Sequence, residues 1–142
     1  IGIWAHSNGG QIVLSVLETL EGNYPTVLWA PMTNPFPQSV LETVEADSPV
    51  RKVIEDFEKK YDVRRYAFEN YYEWVNSPIL IQQGERDEWC QVEWQEKVVS
   101  KLKELGKDAE LVVYPKSDHN LKADWGAAVE KDMSFYKEMF SL

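Results

Sequence analysis

The sequence has little of what several common protein classes require. Cys90 is the single cysteine among 142 residues, which excludes an internal disulfide framework and favours a reducing, cytoplasmic setting. Apolar runs are short, far below the roughly 20 residues that cross a bilayer, so no membrane partner is expected. Basic residues are also scarce: 15 Lys and Arg stand against 24 Asp and Glu, and the net charge is −9. This balance argues against nucleic acid as a partner.

The rest of the composition is that of one folded domain. Apolar residues make up 44% of the chain, and 142 residues allow a real core but hardly two domains. Four short apolar runs indicate strands, and three of them precede segments with helical apolar spacing. The strands are expected at 1–5, 26–30, 78–84 and 109–114, and the helices at 12–20, 92–105 and 123–140. This alternation predicts an α/β fold with a mostly parallel sheet of about four strands and helices on both faces.

Residues 47–75 interrupt the alternation. Ser48 followed by Pro49 is typical of a helix start, and apolar residues from 50 to 61 recur on one helical face. Aromatic residues are dense from 66 to 74. We expect a helical, cap-like insertion at 47–75, which either covers a site or packs on the main body.

Ser7 lies between the first predicted strand and the first predicted helix, in the segment Ala-His-Ser-Asn-Gly at 5–9. This is the nucleophile-elbow pattern G-x-S-x-G with Ala in the first place. A sharp turn there lifts the Oγ atom off the backbone, and the backbone N–H of Asn8 can face an oxyanion at the helix start. A purely structural serine in a glycine-rich turn is the alternative. A phosphate loop is disfavoured, because G-x-x-x-x-G-K-[ST] is missing.

Two more polar candidates follow later strands. Asp87 comes just after the third predicted strand and His119 just after the fourth. Open α/β sheets build their sites at the carboxyl ends of parallel strands, so both side chains are expected near Ser7. Each residue alone could be an ordinary solvated loop residue, but the three together follow the order Ser, Asp, His.

Other residues compete for roles in the same region. Glu88 and Asp118 are rival acids, and His6 is interpreted as structural or pocket-lining. Neither a metal nor a cofactor is expected, since His6, Cys90 and His119 are too few and too poorly spaced for zinc and no dinucleotide fingerprint is present. Aromatic side chains that could line a substrate pocket are Trp4, Trp29, Trp74 and Trp89.

Several segments together resemble the α/β-hydrolase superfamily, in its prolyl oligopeptidase and dienelactone hydrolase branches. They are AHSNGG at 5–10, SPILIQQG at 77–84, KLKELGK at 101–107, ELVVYP at 110–115 and DHNL at 118–121. The resemblance covers most of the chain and is weakest at 31–70. It implies that Ser7 is the nucleophile, His119 the general base and acid, and Asp87 the orienting acid. Asn8 would supply one oxyanion N–H through its backbone.

The resemblance also implies that only part of a domain is present. The sheet of these hydrolases has about eight strands, so residues 1–142 are expected to form the C-terminal part of one catalytic domain. The strand at Ile1–Trp4 would then have a bare edge, through which the chain is expected to dimerise or to associate with another segment. The second oxyanion donor would come from the missing half.

The expected function is therefore that of a serine hydrolase with an acyl-enzyme intermediate and a small peptide or ester substrate. A peptidase of the prolyl oligopeptidase type is favoured on resemblance alone. The alternatives are a carboxylesterase or dienelactone-hydrolase-like esterase, and a non-catalytic half-domain module.

Overall fold

The computed structural model describes residues 1–20 and 22–141, and its centre is a four-stranded parallel sheet. The strands are β1 (Ile3–His6), β2 (Thr26–Trp29), β3 (Ile79–Gly84) and β4 (Ala109–Tyr114), in the spatial order β1-β2-β3-β4. Ile3 lies opposite Thr26, Thr26 opposite Ile79, and Ile79 opposite Ala109, so the strands start together at one edge. The predicted α/β fold and all four strands are confirmed.

Helices cover both faces of the sheet, as predicted. α1 (Gly9–Thr19) and α4 (Val92–Glu104) pack on one face, and α5 (Trp125–Phe140) packs on the other. Leu28 and Ile81 point toward α1 and α4, whereas Val27 and Leu80 point toward α5. Every residue of β2 and β3 is buried, which explains why residues 27–29 and 79–81 are continuous apolar runs rather than alternating ones.

The segment between β2 and β3 contains two helices, α2 (Gln38–Leu41) and α3 (Pro49–Glu58), and three 3-10 turns. The Ser48 hydroxyl accepts a hydrogen bond from the Val50 N–H at 3.3 Å, so it caps α3 as the sequence indicates. The apolar face of α3 is largely exposed, although Ile54 is buried. Further along the segment, Phe68 and Tyr72 are buried in the core beside α1. The part of the segment that contains Phe68 and Tyr72 therefore packs on the main body, whereas most of the apolar face of α3 is exposed to solvent.

The apolar residues of α5 do not all face the sheet. The sequence places a row of apolar residues at helical spacing on this helix, and four of its members are exposed: Trp125, Val129, Met133 and Phe140. The sheet instead contacts Ala128 and Phe135. The fifth member of the row, Tyr136, is partly buried, and its hydroxyl donates to the Ile3 carbonyl, so this part of α5 lies over β1.

β1 is an edge strand, and its surroundings are apolar. The exposed fractions are 91% for Ile1 and 51% for Trp4, which together with the exposed row of α5 form an apolar surface. Within residues 1–20 and 22–141, no helix combines the length and the apolarity that crossing a bilayer requires.

Candidate active site

Ser7 lies in a strained turn between β1 and α1. Its φ angle is +56°, a left-handed conformation that is unfavourable for a residue with a side chain. The turn is held by backbone hydrogen bonds: the Ser7 N–H donates to Trp29 O at 3.0 Å, and Ser7 O accepts from Gly10 at 2.9 Å and Met32 at 2.8 Å. The turn thereby directs the side chain of Ser7 out of the sheet edge, as a nucleophile elbow does.

Small residues around Ser7 allow this turn to close. A Cβ atom on Gly10 would lie 2.3 Å from Pro31 Cβ, so only glycine fits where α1 passes the loop after β2. A Cβ on Gly9 would lie 3.1 Å from the Cβ of Ala5. The alanine in the first position of the motif is therefore accommodated because a glycine faces it.

Ser7, His119 and Asp87 form a continuous hydrogen-bonded chain. Ser7 Oγ lies 2.9 Å from His119 Nε2, and His119 Nδ1 lies 2.8 Å from Asp87 Oδ2. A carboxylate can only accept, so Nδ1 carries the proton and Nε2 is free to accept from the serine hydroxyl. The Asp87 side chain is fully buried and that of His119 is 17% exposed, which strengthens the pair by excluding water.

Four donors converge on the Asp87 carboxylate. Burial alone would raise the pKa of Asp87, but hydrogen bonds from His119, Cys90, Trp89 and Gln83 outweigh burial and lower the pKa below its ordinary value. The distances to Oδ1 are 2.8 Å from the Trp89 N–H and 3.0 Å from the Cys90 N–H. Gln83 Nε2 donates to Oδ2 at 2.9 Å. Asp87 is therefore ionised at neutral pH and held in one orientation.

The sequence profile of the prolyl oligopeptidase family matches residues 1–142. The chain belongs to the prolyl oligopeptidase family. It is 39% identical over 71 residues to the uncharacterized peptidase YuxL of Bacillus subtilis (strain 168), a match that spans 49% of this chain and 10% of that protein.

Two solved structures of peptidases or hydrolases share its fold. A crystal structure of puromycin hydrolase superposes with a TM-score of 0.78 and 19% identity over 99% of this chain and 22% of that one. The acylaminoacyl peptidase of Pyrococcus horikoshii gives 0.67 and 21% identity over 84% of this chain and 19% of that one. The chain thus spans about a tenth to a fifth of the length of these proteins.

The loop that carries His119 is fixed against β3. Gly84 ends that strand, and a Cβ atom there would lie 2.4 Å from the carbonyl oxygens of both Ser117 and Asp118. The Arg86 N–H donates to Ser117 O at 3.0 Å, and Asp118 Oδ1 accepts from the N–H of Lys122 at 3.1 Å. These contacts set where the backbone of His119 lies.

Several of these supporting residues were missed by the sequence reasoning. Gln83 donates to Asp87, and Gln95 of α4 holds the loop after β2 through Pro31 O and Thr33, both at 2.8 Å. The sequence did contain a signal for Gln83: two glutamines, Gln82 and Gln83, follow the apolar residues of β3 directly before Gly84. Buried polar side chains in a central strand need partners. Gln83 finds one in Asp87, whereas Gln82 donates to Ala128 O and Asp132 and accepts from Tyr114 on the α5 side.

The other predicted site residues occupy different places. Asn8 directly follows Ser7 in the turn, and the Trp89 N–H donates to Asp87. Glu88 is exposed. Trp29 is buried under α5, where its Nε1–H donates to Asp132 at 3.1 Å. Its backbone touches Ser7, but its side chain does not face the elbow.

Trp74 lies at the far end of the sheet. It precedes β3, and its neighbour Glu73 accepts a hydrogen bond from Lys107, which precedes β4. Both positions are at the amino ends of strands, opposite the edge that carries Ser7. The structure therefore places Trp74 away from the triad, so this position does not fit the expected pocket lining. The ring of Trp29 packs between Trp4 and Trp125.

One group of potential metal ligands occurs among residues 1–20 and 22–141. Ligand-type atoms of Asp87, Cys90 and His119 lie within 4.8 Å of one another. The carboxylate and imidazole are hydrogen-bonded to each other, and burial beside Asp87 raises the pKa of Cys90 to about 12. A thiol rather than a thiolate is a poor ligand, so these residues suit acyl transfer better than metal binding.

Proposed function

We propose that the chain carries the catalytic triad of a serine peptidase of the prolyl oligopeptidase type. The observation that carries this proposal is the uninterrupted hydrogen-bonded chain from Ser7 through His119 to Asp87. The strained elbow at Ser7 and the ionised, buried Asp87 support it. Membership of the family supports the same class of reaction.

The proposed reaction begins when Ser7 Oγ attacks a substrate carbonyl carbon. His119 Nε2 takes the hydroxyl proton, and Asp87 stabilises the resulting imidazolium through Nδ1. The backbone N–H of Asn8 donates to the oxyanion of the tetrahedral intermediate, next to the positive end of the α1 dipole. Nε2 then gives its proton to the leaving group, which departs and leaves an acyl-Ser7 ester. Water, deprotonated by the same imidazole, releases the acid.

A peptide substrate is favoured because the matched family is a peptidase family and two of the three named relatives are peptidases. The direct test compares a peptide anilide with an ester of the same acyl group, using the full protein. We expect turnover of both, with the Ser7→Ala variant as the inactive control. Hydrolysis of the ester with no measurable anilide cleavage would support an esterase instead, and turnover of neither would contradict a hydrolase.

We also propose that a further strand of the intact protein pairs with β1. The N–H groups of Ile3 and Ser7 donate toward β2, so by strand alternation those of Trp4 and His6 face the open edge. The exposed apolar surface beside that edge needs a cover, and the chain spans only a fraction of the relatives it matches.

Amide hydrogen exchange tests this pairing. In the full protein, the amides of Trp4 and His6 should exchange as slowly as that of Ala5, whereas in the 142-residue chain alone they should exchange much faster. Equally fast exchange of Trp4 and His6 in both samples would contradict the proposal.

A further inference from the structure

His6 is the last residue of β1 and the neighbour of Ser7. Side chains alternate across a strand, so Ala5 faces α1, whereas Trp4 and His6 face the opposite side of the sheet. The rings of Trp4 and His6 accordingly stack, with centroids 6.5 Å apart and planes 25° from parallel. The imidazole of His6 thus points toward the side from which the His119 loop approaches.

A hydrogen bond joins His6 to the backbone of His119. His6 Nε2 lies 2.9 Å from His119 O, and a carbonyl oxygen can only accept, so Nε2 carries the proton and donates. The two rings also touch, with centroids 4.7 Å apart. Consecutive residues therefore hold His119 at two points: His6 at the carbonyl oxygen and Ser7 at Nε2.

We propose that His6 is a positioning residue that places the imidazole of His119 against Ser7 Oγ. The loop around His119 has no regular secondary structure, and Leu121 adopts a left-handed conformation with φ +52°. Its position depends on individual anchors of this kind, and a displacement of about 1 Å can cost roughly 10²-fold in rate. The inference rests on the proposed function, since it gives His6 a part in the same reaction.

Two substitutions separate this role from simple space filling. In His6→Gln the amide nitrogen stands the same number of bonds from Cβ as Nε2 of histidine, so the donor is retained. In His6→Asn the amide nitrogen matches Nδ1 instead and falls short of His119 O. Both variants remove the ring and keep a polar side chain, so a difference between them reports the donor.

The experiment uses the full protein and two readouts. The first is the rate at which a fluorophosphonate probe modifies Ser7, together with kcat and KM for an ester. The second is amide hydrogen exchange of residues 117–121. We expect His6→Gln to stay within about threefold of wild type. His6→Asn should label about 10–100-fold more slowly, with a lower kcat and an unchanged KM, and its loop amides should exchange up to about tenfold faster.

The outcomes distinguish this inference from the proposed function. Equal labelling and equal loop exchange in the two variants would overturn the positioning role, as would faster loop exchange in His6→Asn without slower labelling. Wild-type protein that is folded but never labelled would contradict the proposed function. The exchange readout still decides in that case, because equal loop exchange in both variants would overturn the inference.

Discussion

At the scale of single residues, the proposed chemistry depends on Asp87 being a carboxylate. Its hydrogen bonds lower the pKa despite burial, so it remains charged when His119 must become cationic. Asp87→Asn removes that charge and allows the amide to hold the wrong imidazole tautomer. We expect a loss of about 10³–10⁴-fold in kcat with little change in folding, measured by ester hydrolysis and circular dichroism.

Glu88 provides the matched control for this substitution. It is the carboxylate directly next to Asp87 in the loop after β3, and it is exposed. Glu88→Gln should keep near-wild-type activity. An inactive Glu88→Gln beside an active Asp87→Asn would show that the acid is assigned to the wrong residue.

The sequence alone predicted that Ser7, Asp87 and His119 lie close together, because each follows a strand and parallel strands bring their carboxyl ends to one edge. It could not predict where the side chains of Trp29 and Trp74 lie. Which face of β2 the Trp29 ring takes depends on strand register, and Trp74 lies in an irregular segment whose path is set by tertiary packing. Contacts between residues that are far apart in the sequence, such as that between His6 and His119 O, leave no recognisable pattern in the sequence.

At the scale of elements, the end of β3 determines where the His119 loop lies. A methyl group at Gly84 would meet two backbone carbonyl oxygens at 2.4 Å, and backbone atoms cannot yield as a flexible side chain does. Gly84→Ala should therefore displace the loop and lower the rate of ester hydrolysis by about 10²-fold. Gly126→Ala in α5 is the control, because nothing lies within 4 Å of its Cβ position.

The control should retain activity and gain a little stability, since alanine favours a helix over glycine by roughly 1 kcal/mol. Comparable activity in Gly84→Ala and Gly126→Ala would show that the close approach at Gly84 does not position the site. Thermal melting of both variants separates a displaced loop from general unfolding.

Helix periodicity predicted the extent of α5 well but not its buried side. The row that begins at Trp125 is as apolar as a core-facing row, so periodicity alone cannot tell which side of the helix the sheet covers. In the structure, smaller Ala128 and bulky Phe135 face the sheet instead. The exposed row is consistent with our proposal that a further strand pairs with β1.

At the scale of the whole molecule, we propose that the four strands form one part of a larger sheet. Order and register of the strands gather Ser7, Asp87 and His119 at the carboxyl edge from positions 80 and 32 residues apart in the chain (87 − 7 and 119 − 87). We propose Asn8 as one oxyanion donor, and removal of one such donor typically costs roughly 10²–10³-fold. In this proposal, the triad and the open edge of β1 belong to the same sheet.

The central claim is that Ser7 is a nucleophile activated by His119. The most direct measurement treats the full protein with a fluorophosphonate probe and identifies the modified residue by mass spectrometry. We predict a single adduct on Ser7 that is lost in His119→Ala. An adduct on another residue, or equal modification of Ser7 in folded wild-type and His119→Ala protein, would contradict the account.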